Sequence, residues 1–172
     1  MKSAIKFFDS EDADIFQQAE RLHRALTHLK YEGKLTLAKN LKEVKESAGA
    51  LGVILKRHLG LQEKVVFPYI STHIPRYETT VHFLESEHEE IDRHCEKLLK
   101  AIREFQRSGS SLKNSGEVYE NGIFLVSLLR HHLNFELRNI RLLMGKELRL
   151  DEKIEIGTRM KKWLKKHSLK AA

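Results

Sequence analysis

The sequence has few of the residues that interrupt helices or cross-link a chain: one cysteine, two prolines and nine glycines in 172 residues. The single cysteine, Cys95, excludes an internal disulfide framework and is typical of a reducing compartment. No run approaches the roughly 18 consecutive apolar residues of a membrane-spanning helix. Residues 1–6 also lack the apolar segment of a signal peptide. These absences predict a cytoplasmic protein with long helices.

Positive charge exceeds negative charge, but the two signs are mixed. The net charge is +7, and residues such as Lys42 and Lys45 alternate with Glu43 and Glu46. This alternation is typical of solvated helix faces, so we do not expect a nucleic-acid partner. The last predicted helix carries four lysines on one side: Lys161, Lys162, Lys165 and Lys166. We predict that its other side packs against the rest of the chain; the alternative is a surface for an acidic partner or an anionic lipid.

Apolar residues recur at intervals of three and four residues through most of the chain, as on one face of a helix. Four of these stripes each include one histidine: His23, His58, His88 and His132. The first stripe consists of Phe16, Ala19, His23 and Leu26. We therefore predict an all-α fold, an up-down-up-down four-helix bundle with a short additional C-terminal helix. It forms a single domain over residues 1–172, with the bundle core at about 10–147 and the last helix at about 151–168.

The predicted turns decide which histidines lie at the same depth. In an up-down bundle, two residues face each other when the turn lies midway between them. For His58 and His88 the midpoint lies beside Pro75, and for His88 and His132 it lies in the segment Ser108–Gly116, which is rich in glycine and serine. We therefore expect these three histidines to meet.

The first turn is harder to place. The midpoint of His23 and His58 lies near Asn40, so we predict the turn there and place Gly33 inside the first helix. A turn at Gly33 would instead separate these two histidines by roughly 18 Å along the helix axis.

Two segments of the chain resemble each other around His58 and His132. Each histidine is followed four residues later by a polar side chain on the same helix face, Gln62 in one case and Glu136 in the other. Buried polar groups without partners are unfavourable by about 1–3 kcal/mol each, and a metal ion would satisfy them together. Imidazole with carboxylate suits iron, manganese or zinc. Carboxylates that bridge two ions occur in helix bundles, so the pattern favours a site with two metal ions.

These motifs are similar to those of the hemerythrin (HHE cation-binding) family. Residues 58–68 resemble the second-helix signature of that family, residues 87–91 its third-helix motif and residues 132–136 its fourth. The resemblance covers about residues 10–145 and implies a four-helix bundle with two non-haem iron ions per chain. Its members bind or sense dioxygen, or act in iron and nitric-oxide stress. The metal ligands that it implies are His23, His58, Glu63, His88, His132 and Glu136.

The chain departs from the family pattern at two places. Gln62 stands where the bridging glutamate of the second helix is expected, and a neutral amide bridges metals poorly. Glu63 follows it but points about 140° away from His58 on a regular helix. We therefore expect a π-helical bulge at Gly60 that turns Glu63 toward the metals. Leu84 stands where the oxygen carriers have a further histidine, which favours a site with four histidines. The other six histidines are interpreted as structural or solvent-facing: His28, His73, His82, His94, His131 and His167.

Three functions are compatible with the sequence. The first is a hemerythrin-like di-iron protein that binds dioxygen or another small diatomic ligand, or handles iron, without turnover. The second is a ferritin-like di-iron oxidase, whose Glu-x-x-His pattern would be met by Glu20 with His23 and by Glu85 with His88. The third is a metal-free helical interaction module, which the absent glutamate at Gln62 would explain. We favour the first, because His58 and His132 are additional to the oxidase pattern, and we expect binding rather than catalysis.

Overall fold

The computed structural model describes residues 4–108 and 112–168, and all regular secondary structure in these ranges is helical. The first helix, α1, spans Ala4–Tyr31. The second, α2, consists of Leu37–Leu61, a π-helical turn at Gln62–Val66 and a last segment at Phe67–His73. After a 3-10 turn at Pro75–Tyr77, α3 spans Glu78–Ser108. The fourth, α4, consists of Leu112–Glu136, a π-helical turn at Leu137–Arg141 and a last segment at Leu142–Lys146. The last helix, α5, spans Leu150–Ser168. The all-α fold is confirmed, and the up-down order of the helices stays a prediction.

The loop predicted at Ser108–Gly116 is shorter at its C-terminal end. α4 begins at Leu112, so residues 112–116 are helical. Residues 109–111 lie outside the described part of the chain. Pro75 begins the 3-10 turn before α3, a position at which its missing N–H has no helical partner to lose.

The first turn lies at Gly33 and not near Asn40, so that prediction is wrong. α1 ends at Tyr31, and a 3-10 turn at Lys34–Thr36 leads into α2. Gly33 has a φ of +81°, which residues with a Cβ rarely adopt. The helix therefore ends at the glycine, as helices commonly do.

Asn40 contributes to the same turn from the beginning of α2. Its side chain is 2% exposed, and Nδ2 donates to the carbonyl oxygen of His28 at 3.1 Å and to Glu32 Oε2 at 3.0 Å. The amide thus binds the C-terminal end of α1 to the first turn of α2. Asn40 stabilises the turn without being part of it.

The described helices form two compact units. The first unit contains residues up to Ala13, Ile54–His88 and the residues from His132 onward, and the second contains Asp14–Val53 and Glu89–His131. α1 to α4 each contribute residues to both units, whereas α5 belongs to the first. The single domain over residues 1–172 stays a prediction.

The core of the first unit includes the end of α2, the beginning of α3, the end of α4 and one face of α5. Ile156 and Met160 of α5 are 0% and 2% exposed, and each such burial stabilises by about 1.5–3 kcal/mol. Trp163 lies against Gly60 of α2, where a Cβ would be 3.3 Å from the indole ring. The last helix therefore packs on the first unit, as the sequence predicted. Among the described residues, this core contains fourteen buried side chains: Phe8, Leu61, Val66, Phe67, Tyr69, Ile70, Val81, Leu84, Ile140, Leu143, Met144, Leu148, Ile156 and Met160.

The buried face of α1 in the second unit differs from the predicted stripe. The buried residues are Ile15, Ala19, Leu22, Leu26 and Leu29. Phe16 is 50% exposed and His23 is partly exposed, so the prediction that both belong to the apolar stripe is wrong. Both stripes share Ala19 and Leu26, so helical spacing alone did not separate them.

Candidate metal centre

Each π-helical turn lies directly after a helical turn that carries a buried histidine. On α2, His58 precedes Gln62, the first residue of the turn Gln62–Val66. On α4, His132 precedes Glu136, which is followed by the turn Leu137–Arg141. Such turns are frequent at functional sites. The π-helical bulge expected at Gly60 therefore begins two residues later, at Gln62. α4 has an equivalent turn, which was not predicted from the sequence.

Three buried side chains of the first unit bring potential ligand atoms together. His58, His132 and Glu136 each offer one nitrogen or oxygen, and these atoms lie within 4.8 Å of one another. Glu136 Oε2 is 3.3 Å from His58 Nε2 and 4.0 Å from His132 Nε2. His88 of α3 adjoins this cluster, because its ring centroid is 5.0 Å from that of His132. Three helices thus contribute imidazoles to one buried region.

The second nitrogen of each imidazole faces a carboxylate. His88 Nδ1 is 3.0 Å from Glu63 Oε1, and His132 Nδ1 is 3.0 Å from Glu87 Oε2. His58 Nδ1 is 3.5 Å from Glu11 Oε2, which comes from α1. An ionised carboxylate only accepts hydrogen bonds, so it favours a proton on Nδ1 and a lone pair on Nε2. Histidines that bind metals are held in this way.

Burial and neighbouring charges shift the pKa values of the cluster residues in different directions. Burial lowers the pKa of His58, but the carboxylates of Glu11 and Glu136 outweigh burial and raise this pKa to about 9. Burial, together with the neighbouring His132 and His58, lowers the pKa of His88 to about 2, so His88 is neutral. Burial alone would raise the pKa of Glu136, but its hydrogen bond with His58 and the charge of that ring lower it. An ionised carboxylate and a neutral imidazole are the forms that bind metals, so His58 must release a proton when a cation binds.

Aromatic rings surround the imidazoles. Phe67 stacks on His88 with ring centroids 5.3 Å apart, and Phe8 meets His58 edge-on at 6.0 Å. Both phenylalanines are at most 1% exposed. An apolar shell of this kind limits the access of water to a polar cluster.

A buried guanidinium and a buried amide also reach the cluster. Arg141, at the end of the second π-helical turn, is 7% exposed, and its Nη2 is 3.9 Å from Glu136 Oε1. The same guanidinium pairs with Asp12, and its Nη1 is 2.6 Å from Asp9 Oδ1. Gln62 is 0% exposed, and its amide helps to lower the pKa of Glu136.

The structure brings together some of the predicted site residues. His58, His132 and Glu136 form the cluster, with His88 next to it. Glu63 is turned toward His88 Nδ1, and its side chain is 35% exposed. Gln62, the alternative to Glu63, is the more buried of the two.

His23 has other partners. It belongs to the second unit, and its Nδ1 lies 3.3 Å from Arg130 Nη2. Arg130 also donates to Glu20 Oε1 at 2.9 Å. Within the described residues, the group whose ligand atoms lie close together does not contain His23. Glu85, which the oxidase pattern would use as a ligand, contacts His82 Nδ1 at 3.1 Å.

The sequence analysis missed Glu11, Asp12, Glu87 and Arg141. The turn at Gly33–Thr36 lies midway between Glu11 and His58 in the sequence. Placing the turn there would therefore have predicted that Glu11 lies at the same depth as His58. Glu87 lies next to His88 in the sequence, which is the only local signal for it. Arg141 has no such signal, because its relation to Glu136 depends on the π-helical turn.

Within the part of the chain that the structure describes, two imidazole nitrogens of the cluster lack partners that a metal ion would supply. Neither His88 Nε2 nor His132 Nε2 has a hydrogen-bond partner among the described residues. Buried polar atoms without partners are unfavourable by about 1–3 kcal/mol each, and a metal ion would satisfy both. Three imidazoles with carboxylates on their Nδ1 sides, beside an ionised carboxylate, form a candidate metal-binding centre within an all-helical protein.

The comparison with known families also points to a helical, cation-binding protein. The sequence matches the family described as Hemerythrin HHE cation binding domain over residues 3–140, and the chain belongs to that family. No curated protein matches the chain. Among the described residues, no helix is both long and apolar enough to cross a bilayer.

Proposed function

We propose that this protein binds iron through His58, His88, His132 and Glu136 and presents the bound iron to dioxygen or another small diatomic ligand. The observation that carries the proposal is the pair of buried Nε2 atoms, on His88 and His132, that lack a hydrogen-bond partner among the described residues. The family match supports metal binding, and imidazole with carboxylate suits iron.

Three glutamates act as positioning residues in this proposal. Glu63, Glu87 and Glu11 face the Nδ1 atoms of His88, His132 and His58. They fix the ring orientation and make the imidazoles better ligands. Glu63, which the sequence predicted as a ligand, therefore supports His88 instead.

A small, uncharged ligand suits the surroundings. Phe8 and Phe67 cover two of the imidazoles, so a polar or bulky substrate would displace buried apolar rings. An iron ion with four protein ligands keeps open positions at which a diatomic molecule binds. Binding without turnover stays an expectation.

The alternatives have less support. The ferritin-like oxidase needs Glu20 and Glu85 as ligands, but these carboxylates contact Arg130 and His82. The two-ion count stays an expectation from the resemblance, and metal analysis decides it. The cytoplasmic location also stays part of the proposal, supported by the single cysteine.

Elemental analysis of protein expressed in iron-supplemented medium tests the proposal. We expect stoichiometric iron in the wild type and its loss in His132→Ala and Glu136→Ala, each of which removes a group from the cluster. His82→Ala is the matched control, because His82 lies in the same unit but its side chain is 69% exposed and contacts only Glu78 and Glu85 among the described residues. Visible spectra under nitrogen, air and nitric oxide then test ligand binding.

The outcomes separate the hypotheses. Protein without any stoichiometric metal would refute the proposal and favour the metal-free helical module. Bound iron whose spectrum is the same under nitrogen, air and nitric oxide would refute the diatomic ligand but not the metal site.

A further inference from the structure

The two oxygens of Glu136 face different positive groups. Oε2 lies near the ligand atoms of the cluster, 3.3 Å from His58 Nε2 and 4.0 Å from His132 Nε2. Oε1 lies 3.9 Å from Arg141 Nη2. In a two-ion centre, a bridging carboxylate gives one oxygen to each ion. Here the guanidinium stands at the oxygen that a second ion would use.

Arg141 is fixed in this place. It is 7% exposed, and two further carboxylates from α1 hold it: Asp9 Oδ1 is 2.6 Å from Nη1, and Asp12 pairs with Nη2. The i to i+5 spacing of a π-helical turn brings Arg141 and Glu136 to one side of α4. Three carboxylates around one guanidinium hold it in place, and a guanidinium stays protonated in proteins.

The other residues near Glu136 also lack what a second ion needs. Gln62 occupies on α2 the position that Glu136 occupies on α4, and it brings no negative charge. The carboxylates of α1 that reach the cluster are engaged: Glu11 faces His58 Nδ1, and Asp12 faces Arg141. A second dication would therefore lie close to a fixed positive charge with few free anionic ligands.

We infer that this centre holds one metal ion, bound by His58, His88, His132 and Glu136, and that the guanidinium of Arg141 takes the place of the second ion of a two-metal centre. The inference rests on the proposed function and concerns only the number of ions. It replaces the expectation of two ions, which was drawn from the sequence without Arg141.

Titration of the metal-free full chain with Co²⁺, followed by calorimetry and by metal analysis after gel filtration, tests the inference. We expect about one Co²⁺ per chain for the wild type. Arg141→Met keeps an unbranched, flexible side chain and removes the guanidinium and its charge, so we expect a second, weaker binding event. Arg141→Lys keeps the charge, and the count stays at one.

Each result has a separate meaning. No bound Co²⁺ in the wild type refutes the proposed function itself. Two ions in the wild type overturn the inference and leave metal binding intact, as does a count of one in Arg141→Met that circular dichroism shows to be folded. Gln62→Glu tests the same point without removing Arg141: it adds a carboxylate, and we expect the count to stay at one. Two ions in that variant would also overturn the inference.

Discussion

The contact between Gly122 and Leu26 predicts that adding one methyl group destabilises the second unit. Gly122 is buried inside α4, and a Cβ built on it would lie 2.4 Å, 2.7 Å and 3.1 Å from the Cδ1, Cδ2 and Cγ atoms of Leu26. Ordinary van der Waals contact begins at 3.4 Å. Leu26 is 0% exposed, so it would have to move by roughly 1 Å within a packed core.

Two effects of Gly122→Ala oppose each other. Alanine favours the helix over glycine by about 0.8–1 kcal/mol. Overpacking a core destabilises it by about 1–3 kcal/mol. We therefore expect a loss in the free energy of unfolding of about 0–2 kcal/mol. Gly49→Ala is the matched control, because Gly49 is exposed within α2 and nothing lies within 4 Å of its added Cβ. It should gain about 0.8–1 kcal/mol.

Urea unfolding followed by far-UV circular dichroism measures both variants. The two free energies of unfolding should differ by about 1–3 kcal/mol, with the Gly49 variant the more stable. Equal stabilisation of both would refute the proposed contact with Leu26. A double-mutant cycle sharpens the test: Leu26→Ala alone should destabilise by about 2–5 kcal/mol, and by less in the Gly122→Ala background, because the new methyl group fills part of the cavity.

Two further predictions concern single side chains. Asn40→Ala should lower the free energy of unfolding by about 1–2 kcal/mol, because it leaves the end of α1 without its amide donor. Asn121→Ala is the control and should be near neutral, because it removes a hydrogen bond only to the Glu117 carbonyl oxygen of the same helix. Equal effects of the two substitutions would contradict the role of Asn40. Burial, with Asp92 and Glu96, raises the pKa of the Cys95 thiol from 9.0 to about 12, so at pH 8 the thiolate is about a thousandfold scarcer than at an ordinary cysteine. Alkylation by iodoacetamide should therefore be slow in folded protein, rise with pH up to about 12 and become fast in urea; a plateau near pH 9 in folded protein would contradict this.

Much of the local structure was predictable because it depends on periodicity. The apolar stripes correctly identify helices, and they correctly place His58, His88 and His132 in buried positions. Glu136 was predictable too, since it lies one helical turn after His132. These inferences need only the repeat of a regular helix.

The errors came from requiring all four histidines to meet. That requirement moved the first turn from Gly33 to Asn40, although glycine is the stronger signal for a helix end. It also selected a stripe through His23, whereas the buried residue beside it is Leu22. An expectation about the site thus overrode two local physical signals.

The partners of the imidazoles depend on tertiary geometry. Glu87 and Glu63 reach their histidines from other helices or from a π-helical turn, which helical spacing does not represent. Arg141 has a long side chain that reaches residues more than a hundred positions away in the sequence, Asp9 and Asp12. Such contacts follow from the fold and not from local sequence.

The π-helical turns also determine which later residues lie on the same side of the helix as the histidines. Ile70 lies twelve residues after His58, as Met144 does after His132, and on an uninterrupted helix each pair would be about 120° apart. The additional residue of each turn reduces this angle to about 20°. Ile70 and Met144 are at most 1% exposed, so each helix presents its histidine and its apolar end to the same core. Removing the additional residue of either turn would restore a regular helix with a separation of eleven residues and the same angle of about 20°. Each π-helical turn therefore accommodates one inserted residue without rotating the buried segment that follows it.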